Sequence, residues 1–293
     1  HRVAGDSDGR ALRKGLLAML TSVVLYTSAN LCVKELSHLG TFQLVFLRSA
    51  VSLLLCVVYL RRMGISLLGN NRGWLVLRGI AGMLGLAGFF HTVKHIPLAS
   101  ATVIQYFSPA FTVLLAFLFL NERVHRSQWL FLVLALLGIV MVKGFDPRVP
   151  WGLWGLGLSS ACFAAVAYLA TMKCRDTDHP VGVVIWFHLL AVPVMGTLSW
   201  GDWSPMTDMD WGLALAIGVL SIAAQVLMTV ALHNEDAGMV MPFKYLGAVL
   251  ALAIGWWGYG ESMSTMSLAG MALVVASISA NTVLKARRPA SAA

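Results

Sequence analysis

Residues 41–60 read TFQLVFLRSAVSLLLCVVYL, and Arg48 is the one charged side chain among them. A helix needs about 20 mostly apolar residues to cross the hydrocarbon core of a bilayer. Nine other stretches have a similar length and composition, namely residues 14–34, 74–93, 98–120, 127–143, 151–173, 180–199, 210–232, 237–259 and 266–285. The sequence therefore predicts an all-α integral membrane protein with ten transmembrane helices.

The composition argues against a large soluble protein. Of the 293 residues, 58% are hydrophobic and 12% are charged, whereas a soluble domain is typically about 25% charged. Most helices of a soluble protein keep a polar face, which these runs lack. The first run is too long for the apolar core of a signal peptide and no cleavage pattern follows it, so we expect no cleaved signal peptide.

The lysines and arginines alternate between the two ends of the predicted helices. Fifteen lie in one alternating set of segments that includes both tails, and four lie in the opposite set. The larger set is Arg2, Arg10, Arg13, Lys14, Arg61, Arg62, Arg72, Arg78, Arg123, Arg126, Lys173, Arg175, Lys285, Arg287 and Arg288, and the smaller set is Lys34, Lys94, Lys143 and Arg148. Positive charge marks the cytoplasmic side, so both termini are expected in the cytoplasm, most simply across a bacterial inner membrane. A nucleic-acid partner is not expected, because its binding surface would gather these cations on one face.

A connector that contains proline and charge, Asp146–Trp151, separates five runs from the next five. An odd number of crossings forces the second half to enter the membrane upside down. The sequence thus predicts two inverted five-helix repeats, residues 14–145 and 146–286, with cytoplasmic tails at 1–13 and 287–293. Inverted repeats build many secondary transporters, and the solute site lies where the repeats meet.

A shift of 139 residues aligns two landmarks of the halves. Ile104–Phe107 falls on Phe243–Leu246, and Asn121-Glu122 falls on Gly260-Glu261. The order of several short motifs resembles the EamA family of the drug/metabolite transporter superfamily. These motifs are Arg78-Gly79, His95-Ile96-Pro97-Leu98-Ala99, Ser108-Pro109 and Asn121-Glu122 in the first half, with Pro242-Phe243-x-Tyr245 and Gly260-Glu261 in the second. The resemblance implies a ten-helix bundle with a central cavity and alternating access. It leaves the solute open, because the family handles amino acids, nucleosides, amphipathic cations and other metabolites.

Two cations, Arg48 and Lys244, lie deep in apolar runs that have no carboxylate in their interior. A charge at membrane depth is costly and is usually kept for function, so the missing partner is predicted to be an anionic or carboxylate-bearing solute. The alternative is that each long side chain reaches the interface. Pro242 favours a helix break beside Lys244, because freed backbone groups are tolerated where they line a cavity. Pro109 and Pro193 are expected to kink their helices.

Eight further residues complete the predicted substrate-binding set. Tyr106 and Tyr245 are equivalent under the 139-residue shift, and with Phe107 and Trp186 they would cover an apolar part of the solute. Hydrogen bonds would come from Asn30, Gln105, His188 and Gln225. The alternative for these polar residues is a hydrogen bond between helices, and His188 could instead couple proton movement to transport.

Glu122, Glu261 and His91 are candidates for gating or ion coupling, and the two glutamates have the alternative of tying helix ends to loops. Gly79, Gly82, Gly85 and Gly88 form a stripe that is expected to pack closely against another helix. The chain has no HExxH, GxSxG or GxxxxGK[ST] motif, so no catalytic residue, metal site or cofactor is predicted.

We expect a secondary active transporter, an exporter, of a small polar metabolite that bears a carboxylate or another anionic group. The partners are this small molecule and the membrane lipids. The alternatives are an uptake carrier, an uncoupled facilitator, an exporter of amphipathic drug-like compounds, and a lipid-binding assembly protein. Proton coupling, the direction of transport and a monomeric or homodimeric state stay open at this point.

Overall fold

A computed structural model describes residues 2–96, 98–143, 150–259 and 264–286. The helices are α1 (Arg2–Glu35), α2 (Thr41–Arg62), α3 (Arg72–His95), α4 (Leu98–Gln105), α5 (Phe107–Phe119), α6 (Arg126–Lys143), α7 (Trp151–Lys173), α8 (Pro180–Ser199), α9 (Asp208–Asn234), α10 (Ala237–Val240), α11 (Leu246–Tyr259) and α12 (Thr265–Ala286). Short 3₁₀ turns cover Trp200–Asp202 and Met241–Tyr245. No strand occurs within these residues, which confirms the all-α prediction.

Six helices in the described ranges are long and apolar enough to cross a membrane. They are Lys14–Val33, Thr41–Arg62, Trp151–Lys173, Pro180–Ser199, Asp208–Asn234 and Thr265–Leu284. Three shorter apolar stretches are Val103–Phe119, Arg126–Met141 and Ala237–Ala251. Their lengths and composition agree with the predicted membrane-embedded character, while the count of ten crossings stays a prediction.

Two predicted runs are broken, and a proline explains each break. Proline has no backbone N–H, and its ring clashes with the carbonyl four residues earlier. For Pro109 this carbonyl belongs to Gln105, and α4 ends there, with Tyr106 between α4 and α5. For Pro242 it belongs to Gly238, and the chain passes through the 3₁₀ turn before α11 begins. The break predicted at Pro242 is confirmed, and Pro109 ends a helix rather than kinking one.

The chain folds as two compact units. Unit 1 comprises His1–Met83 and Ala170–Asn234, so far as these are described. In it α1 packs on α9, and α2 packs on both α8 and α9. Its core includes Cys56, Leu60 and Ile185. The first half of α3 approaches α8 closely, since a methyl group added at Gly79 would lie 2.9 Å from the carbonyl oxygen of Trp186.

Unit 2 comprises Leu84–Leu169 and Glu235–Ala293, again so far as they are described. Here α6 packs on α12, and α5 packs on α10 and the 3₁₀ turn. The second half of α3 lies against α7, because a methyl group added at Gly85 would be 3.2 Å from the carbonyl oxygen of Ser160. The packing role predicted for the glycine stripe is confirmed in both units. Each unit takes segments from both halves of the sequence, so the units cut across the two predicted repeats.

One cation is misplaced in the prediction from sequence. Arg78 was counted among the loop cations, but it lies inside α3 with a side chain that is only 4% exposed. The signal was present, because the apolar run 74–93 includes this position. Without Arg78 in the loop set, the lysines and arginines of the loops still alternate between the two ends of the helices. Arg78 is instead a further cation buried within a helix.

Candidate functional site

Unit 1 holds a cluster of polar side chains on three packed helices. We call Arg48, Ser49, Trp186, His188 and Gln225 the Arg48 group. Arg48 and Ser49 lie in the middle of α2, Trp186 and His188 on α8, and Gln225 on α9. His188 is fully buried and Gln225 is 5% exposed. The group forms because α2 packs against both α8 and α9 through otherwise apolar surfaces.

The polar atoms of the Arg48 group are buried without hydrogen-bond partners. Within the described residues this holds for Arg48 Nε, Ser49 Oγ, Trp186 Nε1, Gln225 Oε1 and both ring nitrogens of His188. Buried polar groups in proteins are nearly always satisfied, and each one left unpaired costs about 1–3 kcal/mol. A cluster of this kind needs water or a ligand to supply the bonds that the protein does not make.

The electrostatics of the group are positive. The positive charges of Arg48 and Arg78 both lie close enough to interact electrostatically with the His188 ring. The amide of Gln225 lies beside the His188 ring, but its oxygen and the ring nitrogens do not meet hydrogen-bond geometry. The Arg78 guanidinium carbon is 5.7 Å from the centre of the Phe187 ring. No ion pair joins Arg48 to a carboxylate in the described part of the chain. The sequence-based prediction of an unmatched cation at Arg48 therefore agrees with its surroundings.

Lys244 has a partner that the sequence did not reveal. It lies in the 3₁₀ turn of unit 2, half-buried, and its Nζ donates a hydrogen bond of 2.8 Å to Tyr168 Oη. The same nitrogen is 4.3 Å from the centre of the Tyr168 ring. The phenol is a neutral partner, so this bond leaves the charge of the ammonium uncompensated. Tyr168 was missed because a lone tyrosine in an apolar helix carries no pattern of its own.

The two helix breaks of unit 2 place the predicted tyrosines side by side. The rings of Tyr106 and Tyr245 are 5.7 Å apart between centres. Tyr245 is fully buried, and its hydroxyl has no hydrogen-bond partner among the described residues. Gln105 precedes Tyr106, and its amide oxygen is 3.3 Å from the Ser160 hydroxyl. That hydroxyl also donates to the carbonyl oxygen of Gly85 at 2.6 Å.

The remaining candidate residues lie outside the Arg48 group and outside the contacts described for Lys244, Tyr106 and Tyr245. The ring of Phe107 lies near that of Phe111, with centres 6.2 Å apart and planes tilted by 40°. Asn30 is exposed on α1, and His91 is exposed near the end of α3. Glu122 is buried and accepts a hydrogen bond of 2.9 Å from the backbone N–H of Ala237. This bond supports the alternative that Glu122 ties helix ends together. Glu261 lies outside the described residues.

Neighbouring contacts hold α10 in place. Asn281 on α12 donates a 3.1 Å hydrogen bond to the carbonyl oxygen of Gly238. This is the carbonyl that Pro242 deprives of its helical partner. Glu122 satisfies the first N–H of α10, and Asn121 before it adopts the left-handed conformation (φ 54°) that asparagine tolerates at a helix end. Side chains of unit 2 thus hold the start of α10, just before the second break.

Comparison with known proteins identifies the family. A sequence model of the EamA-like transporter family matches residues 13–144 and, separately, residues 151–283. The chain belongs to the EamA-like transporter family. The resemblance inferred from the short motifs is confirmed, and so is the prediction that the protein is a membrane transporter and not an enzyme.

Several relatives match most of the chain. The pseudopaline exporter CntI of Pseudomonas aeruginosa strain UCBPP-PA14 is 36% identical over 90% of this chain and 94% of its own length. The riboflavin transporter of Rhizobium johnstonii is 25% identical over 94% of each chain. Human solute carrier family 35 member G1 is 26% identical over 86% of this chain and 77% of its own length. One solved protein structure shares the fold, with a TM-score of 0.80 at 17% identity over 93% of this chain and 98% of that one.

Proposed function

We propose that this protein is a secondary active exporter of a small polar metabolite that bears a carboxylate or another anionic group. The observation that carries the proposal is the Arg48 group, in which Arg48 Nε and several other hydrogen-bonding atoms are buried without a hydrogen-bond partner among the described residues. A protein retains such a costly cluster in a membrane mainly for function. The identity of the atoms then gives the chemistry of the solute.

An anionic solute fits each member of the group. A guanidinium binds a carboxylate or phosphate with two parallel hydrogen bonds, which are stronger than bonds between neutral groups. The indole N–H of Trp186 is a donor only, while the amide of Gln225 and the ring of His188 can each donate or accept. The group therefore suits a solute that combines a negative charge with further polar atoms, as an amino-acid-like compound does.

In unit 2, Lys244 is proposed as a contact for a negative group, with Tyr168 positioning its ammonium. Tyr106 and Tyr245 are proposed to cover an apolar part of the solute, since their rings already lie together. Gln105 and Phe107 lie next to Tyr106 in the chain and are proposed as further contacts. The substrate-binding roles of all these residues are predictions from the sequence that the positions in unit 2 support.

We further propose ten membrane crossings in two inverted repeats, which work by alternating access. The family model matches the chain twice in succession, and proline breaks helices at Tyr106 and at Met241–Tyr245, which correspond under the 139-residue shift. The distribution of lysine and arginine supports cytoplasmic termini, and the bacterial relatives support the inner membrane.

The export direction rests on the relative with 36% identity, which is a pseudopaline exporter. Pseudopaline is therefore the first solute to test, followed by amino acids and organic acids. Purified protein is reconstituted in proteoliposomes, and uptake of labelled solute is followed with and without imposed proton and potential gradients. Accumulation above the outer concentration, driven by a gradient, is expected. Flux that only equilibrates would instead identify an uncoupled facilitator.

Arg48→Gln removes the cation while keeping polar atoms at the site. Because a hydrogen bond to a charged group contributes about 1.5–3 kcal/mol, transport efficiency for the anionic solute should fall by about 10- to 100-fold. Arg72→Gln is the matched control, because Arg72 is exposed at the start of α3, and it should transport normally. Wild-type rates for Arg48→Gln with every anionic solute tested would overturn the proposal.

A further inference from the structure

The connector that follows α2 and the connector that follows α7 lie against each other in unit 1. The backbone N–H groups of Asn70 and Asn71 donate to the carboxylate of Asp178 at 2.6 and 3.1 Å. The rings of Tyr59, near the end of α2, and His179 are 5.7 Å apart between centres. These contacts join segments more than 100 residues apart in the chain, so their outward-facing side chains belong to one surface.

Asp178 also fixes the course of the α2–α3 connector. Gly69 passes beside it with φ of 65°, and a methyl group added there would lie 2.5 Å from Asp178 Oδ1. The position therefore requires glycine. Ile65 and Leu67 of the same connector pack against the apolar core of unit 1. The connector is thus anchored along one side, and its other side is presented outward.

The outward side of the α2–α3 connector combines cations with apolar groups. Arg61 and Arg62 end α2 and are exposed. Met63 is 60% exposed and Leu68 is 50% exposed. Cations beside exposed apolar side chains are characteristic of segments that lie at a membrane surface.

The α7–α8 connector adds further positive charge. Lys173 and Arg175 are half-buried, and Lys173 Nζ lies 5.8 Å from the centre of the Trp74 ring at the start of α3. Asp176 is an exposed carboxylate between these cations and Asp178. We define the basic surface as Arg61, Arg62, Met63, Leu68, Lys173 and Arg175.

We propose that the basic surface binds the headgroup of an anionic phospholipid in the membrane leaflet that it faces. A guanidinium binds phosphate oxygens through two parallel hydrogen bonds, and Arg61 and Arg62 present two guanidinium groups in succession. Met63 and Leu68 would contact the acyl chains beside the headgroup. In the orientation proposed above, both connectors lie on the cytoplasmic side, where clusters of lysine and arginine next to membrane helices attract anionic lipids. Binding at this surface does not depend on the proposed solute or on the direction of transport.

The test is lipid binding to the purified full chain in a non-ionic detergent. Phosphatidylglycerol is titrated, with phosphatidylcholine as the neutral comparison, and bound lipids are counted by native mass spectrometry. Arg61→Gln combined with Arg62→Gln should lower the affinity for phosphatidylglycerol by about tenfold or more, since each cation near an anionic lipid contributes a factor of about five. Phosphatidylcholine binding should not change.

A matched variant removes the same number of charges elsewhere. Arg123→Gln combined with Arg126→Gln neutralises two exposed cations of unit 2 on the same predicted side of the membrane, and it should keep the wild-type affinity. Arg61→Lys combined with Arg62→Lys retains the charge and should recover most of the binding that the glutamine variant loses. Melting temperatures without lipid show whether each variant is folded, and phosphatidylglycerol should raise that of the wild type more than that of the Arg61→Gln, Arg62→Gln variant.

Two further measurements separate a lipid from a free anion. Met63→Ser combined with Leu68→Ser should weaken phosphatidylglycerol binding, because the acyl chains lose their apolar contacts. Glycerol phosphate carries the same charged group without acyl chains and should not displace the lipid at equal concentration. Equal affinity for phosphatidylglycerol in the wild type and the Arg61→Gln, Arg62→Gln variant, or displacement of the lipid by an equal concentration of glycerol phosphate, would overturn the proposal.

Discussion

The buried polar groups of the two units differ in how they are satisfied. In unit 1, Arg48, His188 and Gln225 present buried atoms that no described residue bonds. In unit 2, Lys244 is bonded to Tyr168, and Asn281 is bonded to Gly238. Both sets lie in apolar surroundings and face the same cost of burial. At these positions unit 2 offsets the cost with its own side chains, whereas the Arg48 group of unit 1 leaves it uncompensated.

This difference separates two uses of buried polarity. A polar group that bonds a freed backbone atom, as Asn281 does at Gly238, holds an irregular helix in shape. A polar group without a partner lowers stability and is kept where function requires it. The hydroxyl of Tyr245 is an exception in unit 2, because it is buried and has no hydrogen-bond partner within the described residues. The same argument supports the solute contact proposed for Tyr245.

The largest effect is expected when Arg48 is replaced by an apolar residue of similar length. Arg48→Met should lower transport of the anionic solute by about 10- to 100-fold, because a charge-assisted bond is lost. The melting temperature in detergent should stay level or rise, since replacing a buried charge by an apolar side chain is often stabilising. Flux in proteoliposomes and thermal unfolding of the same preparation measure both quantities.

Arg78→Met is the matched variant within unit 1. Arg78 lies over the Phe187 ring, and a contact of this kind contributes about 0.5–2 kcal/mol, so its melting temperature should fall. A melting temperature for Arg48→Met that falls as far as that of Arg78→Met would show that Arg48 is held by the protein. The contrast between the two units would then fail.

The membrane fold could be predicted from the sequence because apolar run length and the spacing of charge are local properties. The break near Lys244 was also predictable, since Pro242 acts on a carbonyl at a fixed distance in the chain. Partners distant in sequence were not. Tyr168 is 76 residues from Lys244, and the sequence of an apolar helix does not predict such a pairing. Arg78 could have been found, because it lies inside an apolar run, but its neighbours near one end of the run suggested a loop.

A smaller effect is expected in unit 2, where a substitution should lower stability and leave transport unchanged. Glu122→Ala removes the acceptor of the Ala237 N–H, which would leave a buried donor unpaired at the start of α10. The cost should be about 1–3 kcal/mol of unfolding free energy, seen as a lower melting temperature. Transport per folded molecule should be retained, because the bond ties helix ends. Loss of transport without loss of stability would instead support the gating role predicted as the alternative.

The smallest effect is expected from the bond that joins Lys244, a proposed solute contact, to the scaffold. Tyr168→Phe removes the hydroxyl that accepts from Lys244 Nζ and keeps the ring that lies 4.3 Å from it. The loss should be about 1 kcal/mol in stability, typical of a single hydrogen bond. The Michaelis constant for the anionic solute should rise only a fewfold, because the ammonium is still present but less firmly positioned. Tyr59→Phe, at an exposed position on α2, is the control and should change neither quantity. If Tyr168→Phe abolished transport as completely as Arg48→Met, the phenol would be a direct contact for the solute, and the division between a bonded unit 2 and an unbonded unit 1 would have to be redrawn around Lys244.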